Sequence, residues 1–158
     1  MTREVHSVEE TWALAGEVAS TLKPGDVVCL EGDLGAGKTT FTQGLAHALG
    51  VGGRVTSPTF CIVQEHRAAE SRPGAPSMLV HMDLYRLHGE DDVIAIGWED
   101  YLAQGAVLVV EWPERAGSLI PPDAMHIEFR HLEGEESRLV NIISPKTEVP
   151  NGRIDSRS

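Results

Sequence analysis

Lys38, Thr39, Asp83 and Glu111 are the side chains in this sequence best placed to handle a phosphorylated ligand. Lys38 and Thr39 close the stretch Gly32-Asp33-Leu34-Gly35-Ala36-Gly37-Lys38-Thr39-Thr40, which fits Gly-x-x-x-x-Gly-Lys-Thr. Glycines let successive backbone N–H groups curl around an anion, and a helix starting near Lys38 adds unpaired amide donors and a positive dipole end. Lys38 can then reach β- and γ-phosphates as a point charge, and the Thr39 hydroxyl is placed to ligate Mg²⁺. This pattern binds a nucleotide but does not by itself hydrolyse one. Hydrolysis also needs a carboxylate for the metal or its waters and a group that orients the attacking water.

Two carboxylates meet that need by position. Asp83 follows the apolar run Met78–Met82, and Glu111 ends Ala106-Val107-Leu108-Val109-Val110. Each could instead be structural, Asp83 as a turn or cap and Glu111 as a salt-bridged strand end. Thr56, Ser57 and Thr59 form a hydroxyl-rich bend one helix after the loop, where a γ-phosphate sensor would sit; taken alone, it is an ordinary Ser-Pro turn. Arg54 and Arg86 are the candidates for an arginine finger, and neither is singled out by its surroundings, so unaided turnover is expected to be slow. His81 reads as a packed or hydrogen-bonded histidine, since no second His or Cys lies at metal-site spacing.

The elements that must hold these groups follow from periodicity. Ser7-Val8-Glu9-Glu10 is a capping box, and Val8, Trp12, Ala15, Ala19 and Leu22 recur at helical spacing, predicting a helix over 8–21. Trp12 is expected to anchor the core, with a base contact as the alternative. Residues 27–31 form a central strand into the glycine loop. A second helix with Phe41, Leu45, Ala48 and Leu49 on one face ends at Gly50. Residues 64–77 hold no large apolar side chain and read as a connection between two antiparallel strands. Short helices broken at Gly97 occupy 90–103. The unbroken apolar run before Glu111 suits a parallel strand covered on both faces, and ligands of such sheets collect at strand carboxyl ends. Residues 125–130 and 138–143 alternate and predict an antiparallel extension. The expected fold is α/β, a mixed central sheet with parallel core strands, an antiparallel extension and helices on both faces. It forms one domain over 1–143, followed by a polar tail at 144–158.

Composition narrows the function. The chain has 158 residues, 41% of them apolar, and 13 basic against 24 acidic side chains, a net charge of −11. Nucleic-acid binding draws much of its affinity from Lys and Arg, so direct contact with RNA is disfavoured. ATP needs only one local positive site. No run of 18 apolar residues occurs, no signal peptide opens the sequence, and Cys29 and Cys61 sit in apolar runs as buried thiols; a cytoplasmic protein is expected.

Four segments together, Gly32 to Phe41, Ser57-Pro58-Thr59-Phe60, His81-Met82-Asp83-Leu84-Tyr85-Arg86-Leu87 and Glu111-Trp112-Pro113-Glu114, resemble the TsaE (YjeE) family of bacterial ATPases over about Ser7 to Ile143. The resemblance implies a P-loop NTPase fold that binds ATP and Mg²⁺ and joins TsaD and TsaB. Its ATPase activity would support repeated threonylcarbamoyl transfer to the adenosine beside the anticodon, with tRNA met only through that complex. It further implies that Asp33, Leu34, Gly35, Ala36, Gly37, Lys38, Thr39, Thr40, Thr59 and Trp112 face the nucleotide. Thr39, Asp83 and Glu111 would serve the metal, and Glu111, Asp83 and Lys38 the catalysis. A small P-loop kinase and a nucleotide-dependent regulator are the competing readings.

Overall fold

The computed structural model describes residues 1–33, 36–51, 62–68 and 73–144. Their strands form one seven-stranded sheet in the order β1-β7-β6-β2-β5-β4-β3. Its strands are β1 (Thr2–Val5), β2 (Val27–Gly32), β3 (Val63–Arg67), β4 (Met78–Asp83), β5 (Val107–Glu111), β6 (Met125–His131) and β7 (Arg138–Ile143). The four central strands β6, β2, β5 and β4 run parallel; β3 pairs antiparallel with β4 on one side, and on the other β7 pairs antiparallel with β6 and β1 antiparallel with β7. The expected mixed sheet with an antiparallel extension is therefore present.

Alternation along the central strands sends side chains to two cores. Val28, Leu30, Val107, Val109, Ile127 and Phe129 pack on one face beneath α1 (Val8–Ala19) and α2 (Lys38–Ala48). Val27, Cys29, Leu108, Val110 and Met82 pack on the other beneath α3 (Glu90–Ala95) and α4 (Trp98–Ala103), whose Trp98 is buried. α3 and α4 break at Gly97, which sits at φ +104 as the sequence suggests. Cys29 is a buried thiol whose pKa burial, with help from Glu31, pushes up to about 12; Cys61 lies outside the described residues.

Three details depart from the sequence reading. α1 stops at Ala19, and its buried face is Thr11, Leu14, Ala15, Val18 and Ala19, while Val8 is exposed and Trp12 only half-buried against His47. The cause is the partner helix. α1 lies against α2 at Gly44, where an added Cβ would come within 2.8 Å of Ala15 Cβ and 3.1 Å of Trp12 Cα. That close approach selects the small side chains of α1 rather than Val8. Second, Ser7 Oγ accepts from Glu10 N–H at 3.0 Å, but the Glu10 carboxylate reaches His6 N–H rather than the cap residue's own. Third, Gln64 to Arg67 are strand, not connection: they form the edge strand β3, paired with β4 from Val63↔Met82 to Arg67↔Met78. An edge strand can be polar because the ladder holds it and charge discourages further pairing. Ser144, at the expected start of the tail, is buried. Residues 145–158 lie outside the described residues.

Candidate functional site

The turn after β2 leads straight into α2. Gly32 and Gly37 stand at φ +147 and +107, a region that disfavours any side chain, and a Cβ on Gly32 would come within 2.7 Å of the Phe129 carbonyl oxygen on β6. Only glycine lets the chain leave the strand there. The next helical bond, Phe41 N–H to Gly37 O at 2.9 Å, starts α2 directly at the loop. Phe41 is fully buried and meets Phe129 edge-to-face at 5.4 Å, so the first turn of α2 is pinned to β6. Truncating a ring buried in this way to Ala typically costs about 3–5 kcal/mol. The loop is positioned by core packing.

Beside this loop lies a cleft of about 840 Å³. Asp33, Gly37, Lys38, Thr39, Thr40, Asp83, Glu111 and Trp112, all singled out in the sequence, line it. The register explains the meeting. Asp83 and Glu111 are paired residues at the carboxyl ends of adjacent parallel strands β4 and β5, and β2 is the neighbour of β5 on its other side. Ala36 stands apart: its side chain is in the core, and its N–H donates to Asp33 O at 3.0 Å. Leu34, Gly35, Arg54, Thr56, Ser57 and Thr59 lie outside the described residues. Arg86 is exposed and not among the residues lining the cleft.

Within the cleft, the Lys38 ammonium donates to Gly32 O at 2.6 Å and stands 3.5 Å from Glu111 Oε1. Glu111 Oε2 is 2.8 Å from His81 Nε2, and His81 is completely buried. Burial acts to raise the Glu111 pKa, but the hydrogen bond and charge of His81, followed by the charge of Lys38, outweigh it and hold the carboxyl below its ordinary value. Glu111 is therefore ionised at neutral pH despite being 7% exposed. Asp83 is half-buried, and its Oδ1 accepts from Tyr85 N–H at 3.0 Å, a turn bond that fixes the carboxylate at the end of β4. A hydroxyl on Thr39 and a carboxylate on Asp83 are the hard oxygen donors Mg²⁺ takes. Among the described residues no group of three or more His, Cys, Asp or Glu could hold a metal ion.

Several site features escaped the sequence. Trp112 takes a left-handed conformation, φ 59 and ψ 53, the one non-glycine residue among those described with positive φ. Its ring lies 4.8 Å from that of Tyr85, and the Arg115 guanidinium carbon is 5.9 Å from the Trp112 ring centre. Both rings are exposed, at 41% for Trp112 and 55% for Tyr85. Arg138, at the start of β7, also lines the cleft, and its Nη1 donates to the Glu135 and Ser137 carbonyls. Nothing local in the sequence announces Arg138, because its place depends on β7 lying beside β6. Tyr85 was visible within Asp-Leu-Tyr-Arg, but its tilted ring contact with a residue 27 positions later was not.

Comparison with known proteins matches this arrangement. Residues 5–140 fit the family model described as "Threonylcarbamoyl adenosine biosynthesis protein TsaE". The chain is 40% identical over 131 residues to the "tRNA threonylcarbamoyladenosine biosynthesis protein TsaE" of Bacillus subtilis, covering 83% of this chain and 78% of that one. The protein of the same name from Aquifex aeolicus is 42% identical over 113 residues, 70% of this chain and 75% of that one. The crystal structure of YdiB from Bacillus subtilis superposes with a TM-score of 0.70 at 32% identity, over 93% of this chain and 87% of that one. The mixed sheet and its flanking helices have the same P-loop NTPase-like fold as that neighbour.

Proposed function

The chain belongs to the TsaE family, and from that premise we propose that it is a Mg²⁺-dependent ATP hydrolase. In this reading it works with TsaB and TsaD family proteins in the cytoplasm, where its hydrolysis supports threonylcarbamoyl transfer to the adenosine beside the tRNA anticodon. The observation that carries the reading is the convergence, in one cleft, of Lys38 at the glycine loop with the register-paired carboxylates Asp83 and Glu111. Supporting the partner-mediated view of tRNA, the net charge of −11 leaves little for a phosphate backbone to bind.

Each residue has a separate task. The loop amides and Lys38 hold the β- and γ-phosphates, with Lys38 turning from Glu111 and Gly32 toward the phosphate oxygens. Thr39 and Asp83 would hold Mg²⁺, which supplies neutralisation of charge developing on those oxygens. Glu111, ionised and in contact with His81 at Oε2, accepts a hydrogen bond from the attacking water and orients it in line with the γ-phosphorus. A bond forms from that water oxygen to phosphorus, and the bond to the β,γ-bridging oxygen breaks, leaving ADP and inorganic phosphate. The exposed Trp112 and Tyr85 at the cleft rim offer aromatic surface that a partner could cover.

Release of inorganic phosphate from ATP with no acceptor present tests the reading. Slow release by the chain alone, faster release with TsaB and TsaD, and loss of both in Lys38→Ala are expected. Release that requires a phosphoryl acceptor, or an unchanged rate in Lys38→Ala, would overturn it.

A further inference from the structure

His81 is completely buried on β4, on the same face of the sheet as Leu79, and is not among the residues lining the cleft. It pairs in register with Val109, two residues before Glu111 on β5, so its ring reaches Glu111 on the diagonal of a parallel strand pair. The ring is completely buried, its Nε2 contacts Glu111 Oε2 at 2.8 Å, and its Nδ1 is buried with no hydrogen-bond partner among the described residues. Burying an imidazole costs free energy that an apolar side chain of similar size would not incur. Core filling therefore does not account for a histidine here, whereas the contact with Glu111 does.

The two oxygens of Glu111 are thereby divided. Oε2 is occupied from the core side, and Oε1 stands toward Lys38 and the cleft. A glutamate has three rotatable bonds, and with the backbone fixed by the ladder its carboxylate could still swing through several angstroms. Among the described residues, Lys38 and His81 are the groups that meet it. Lys38 is also the phosphate ligand in the reading above, so its 3.5 Å hold on Glu111 weakens as the ammonium is drawn to phosphate. We infer that His81 is a positioning residue: it fixes Glu111 Oε2 from within the core, so that Oε1 keeps its place when Lys38 is drawn to the nucleotide. The inference rests on the proposed role of Glu111 in hydrolysis, and it assigns His81 no contact with substrate.

His81→Met and His81→Gln test it. Methionine fills similar space without a donor, whereas glutamine carries an amide nitrogen near the place of Nε2. Crystal structures of both variants, read at the Glu111 carboxylate, are compared with ATP affinity, thermal unfolding and single-turnover hydrolysis in the presence of TsaB and TsaD. In His81→Met the carboxylate should leave its position and hydrolysis should fall by about 10–100-fold, the range seen when the partner that orients a metal-site ligand is lost. ATP affinity should stay within about twofold, since the phosphate ligands are untouched. His81→Gln should restore most of the rate and the carboxylate position. Glu111 unmoved in His81→Met, or hydrolysis and stability falling equally in both variants, would overturn the inference. Glu111→Gln separates this from failure of the underlying reading. If Glu111→Gln hydrolyses ATP at the wild-type rate, the role of Glu111 fails. The carboxylate position in His81→Met then decides the inference by itself.

Discussion

Gly32→Ala should damage the protein through a contact that can be read directly from the geometry. A Cβ at this position would stand 2.7 Å from the Phe129 carbonyl oxygen and 3.1 Å from Phe129 Cβ, at a backbone φ of +147. Carbon–oxygen contacts are ordinarily about 3.3 Å or longer, so strand β6 or the loop must yield by roughly 0.6 Å. The obstacle is backbone inside the β2–β6 ladder, where Gly32 pairs with Phe129, and a side-chain rotation cannot relieve it. Strain of this kind costs about 1–3 kcal/mol, or about 3–10 °C of melting temperature for a domain of this size. The same shift moves the Gly32 carbonyl that receives the Lys38 ammonium. Because Lys38 leaves this carbonyl for phosphate in the proposed complex, the loss of ATP affinity comes from displacement of the loop, each charge-assisted bond to phosphate that is lost being worth about 1.5–3 kcal/mol, roughly ten- to hundredfold. Two other glycines act as controls. Gly25→Ala, at φ +89 with nothing within 4 Å, meets backbone strain alone and should lower the melting temperature less. Gly16→Ala, inside α1 with open space around it, should raise stability by about 0.5–1 kcal/mol. Scanning calorimetry of the three variants and ATP titration of Gly32→Ala provide the readings. Gly32→Ala melting with the wild type and binding ATP equally well would refute the reasoning.

Trp112→Gly should be more stable than Trp112→Ala by about 1 kcal/mol in urea unfolding, because only glycine tolerates φ 59 without strain; equal stabilities would show that the backbone relaxes instead. In a Cys61→Ser background, Cys29, with its thiol pushed up to about 12, should resist iodoacetamide at pH 8 in the native protein and react on unfolding. Glu111 has a folded pKa held below its ordinary value of about 4.5, so its stabilising contribution is complete above that value and is lost as pH falls through the lower folded one. The stability gap between wild type and Glu111→Gln, measured by urea unfolding, should therefore shrink as pH falls below about 4.5.

What could be read from the sequence is what lies consecutively in it. The run Val27 to Thr40 contains strand, glycine turn and helix start in one stretch, so the phosphate loop was visible without any tertiary knowledge. The five apolar residues before Glu111 announced a strand covered on both faces, and β6 and β7 are joined by a turn short enough to reveal their pairing. What stayed hidden depends on neighbours distant in the chain. β1 has four residues and pairs with β7, from Thr2↔Asn141 to Val5↔Arg138, a partnership no local pattern encodes. Val8 looked like a core residue because helical spacing alone cannot say which side of α1 the close contact at Gly44 selects. Gln64-Glu65-His66-Arg67 looked like a connection because polarity was taken as a loop signal, although an edge strand gains its order from backbone pairing. Asp83 and Glu111 were both found as strand ends, yet their direct pairing, and the reach of His81 to Glu111, required the strand order.

The most direct test of the account is single-turnover hydrolysis of ATP by Glu111→Gln, with TsaB and TsaD present and with ATP affinity measured on the same sample. Glutamine keeps the shape of the side chain and removes the charge that accepts from the attacking water. The account predicts a rate lower by about 10²–10⁴-fold, the usual worth of such a group, with ATP affinity changed only a few-fold because Lys38, Thr39 and the loop amides still hold the phosphates. A Glu111→Gln protein that hydrolyses ATP at the wild-type rate while unfolding at a lower temperature would contradict it, and would make Glu111 no more than the structural partner of Lys38 and His81.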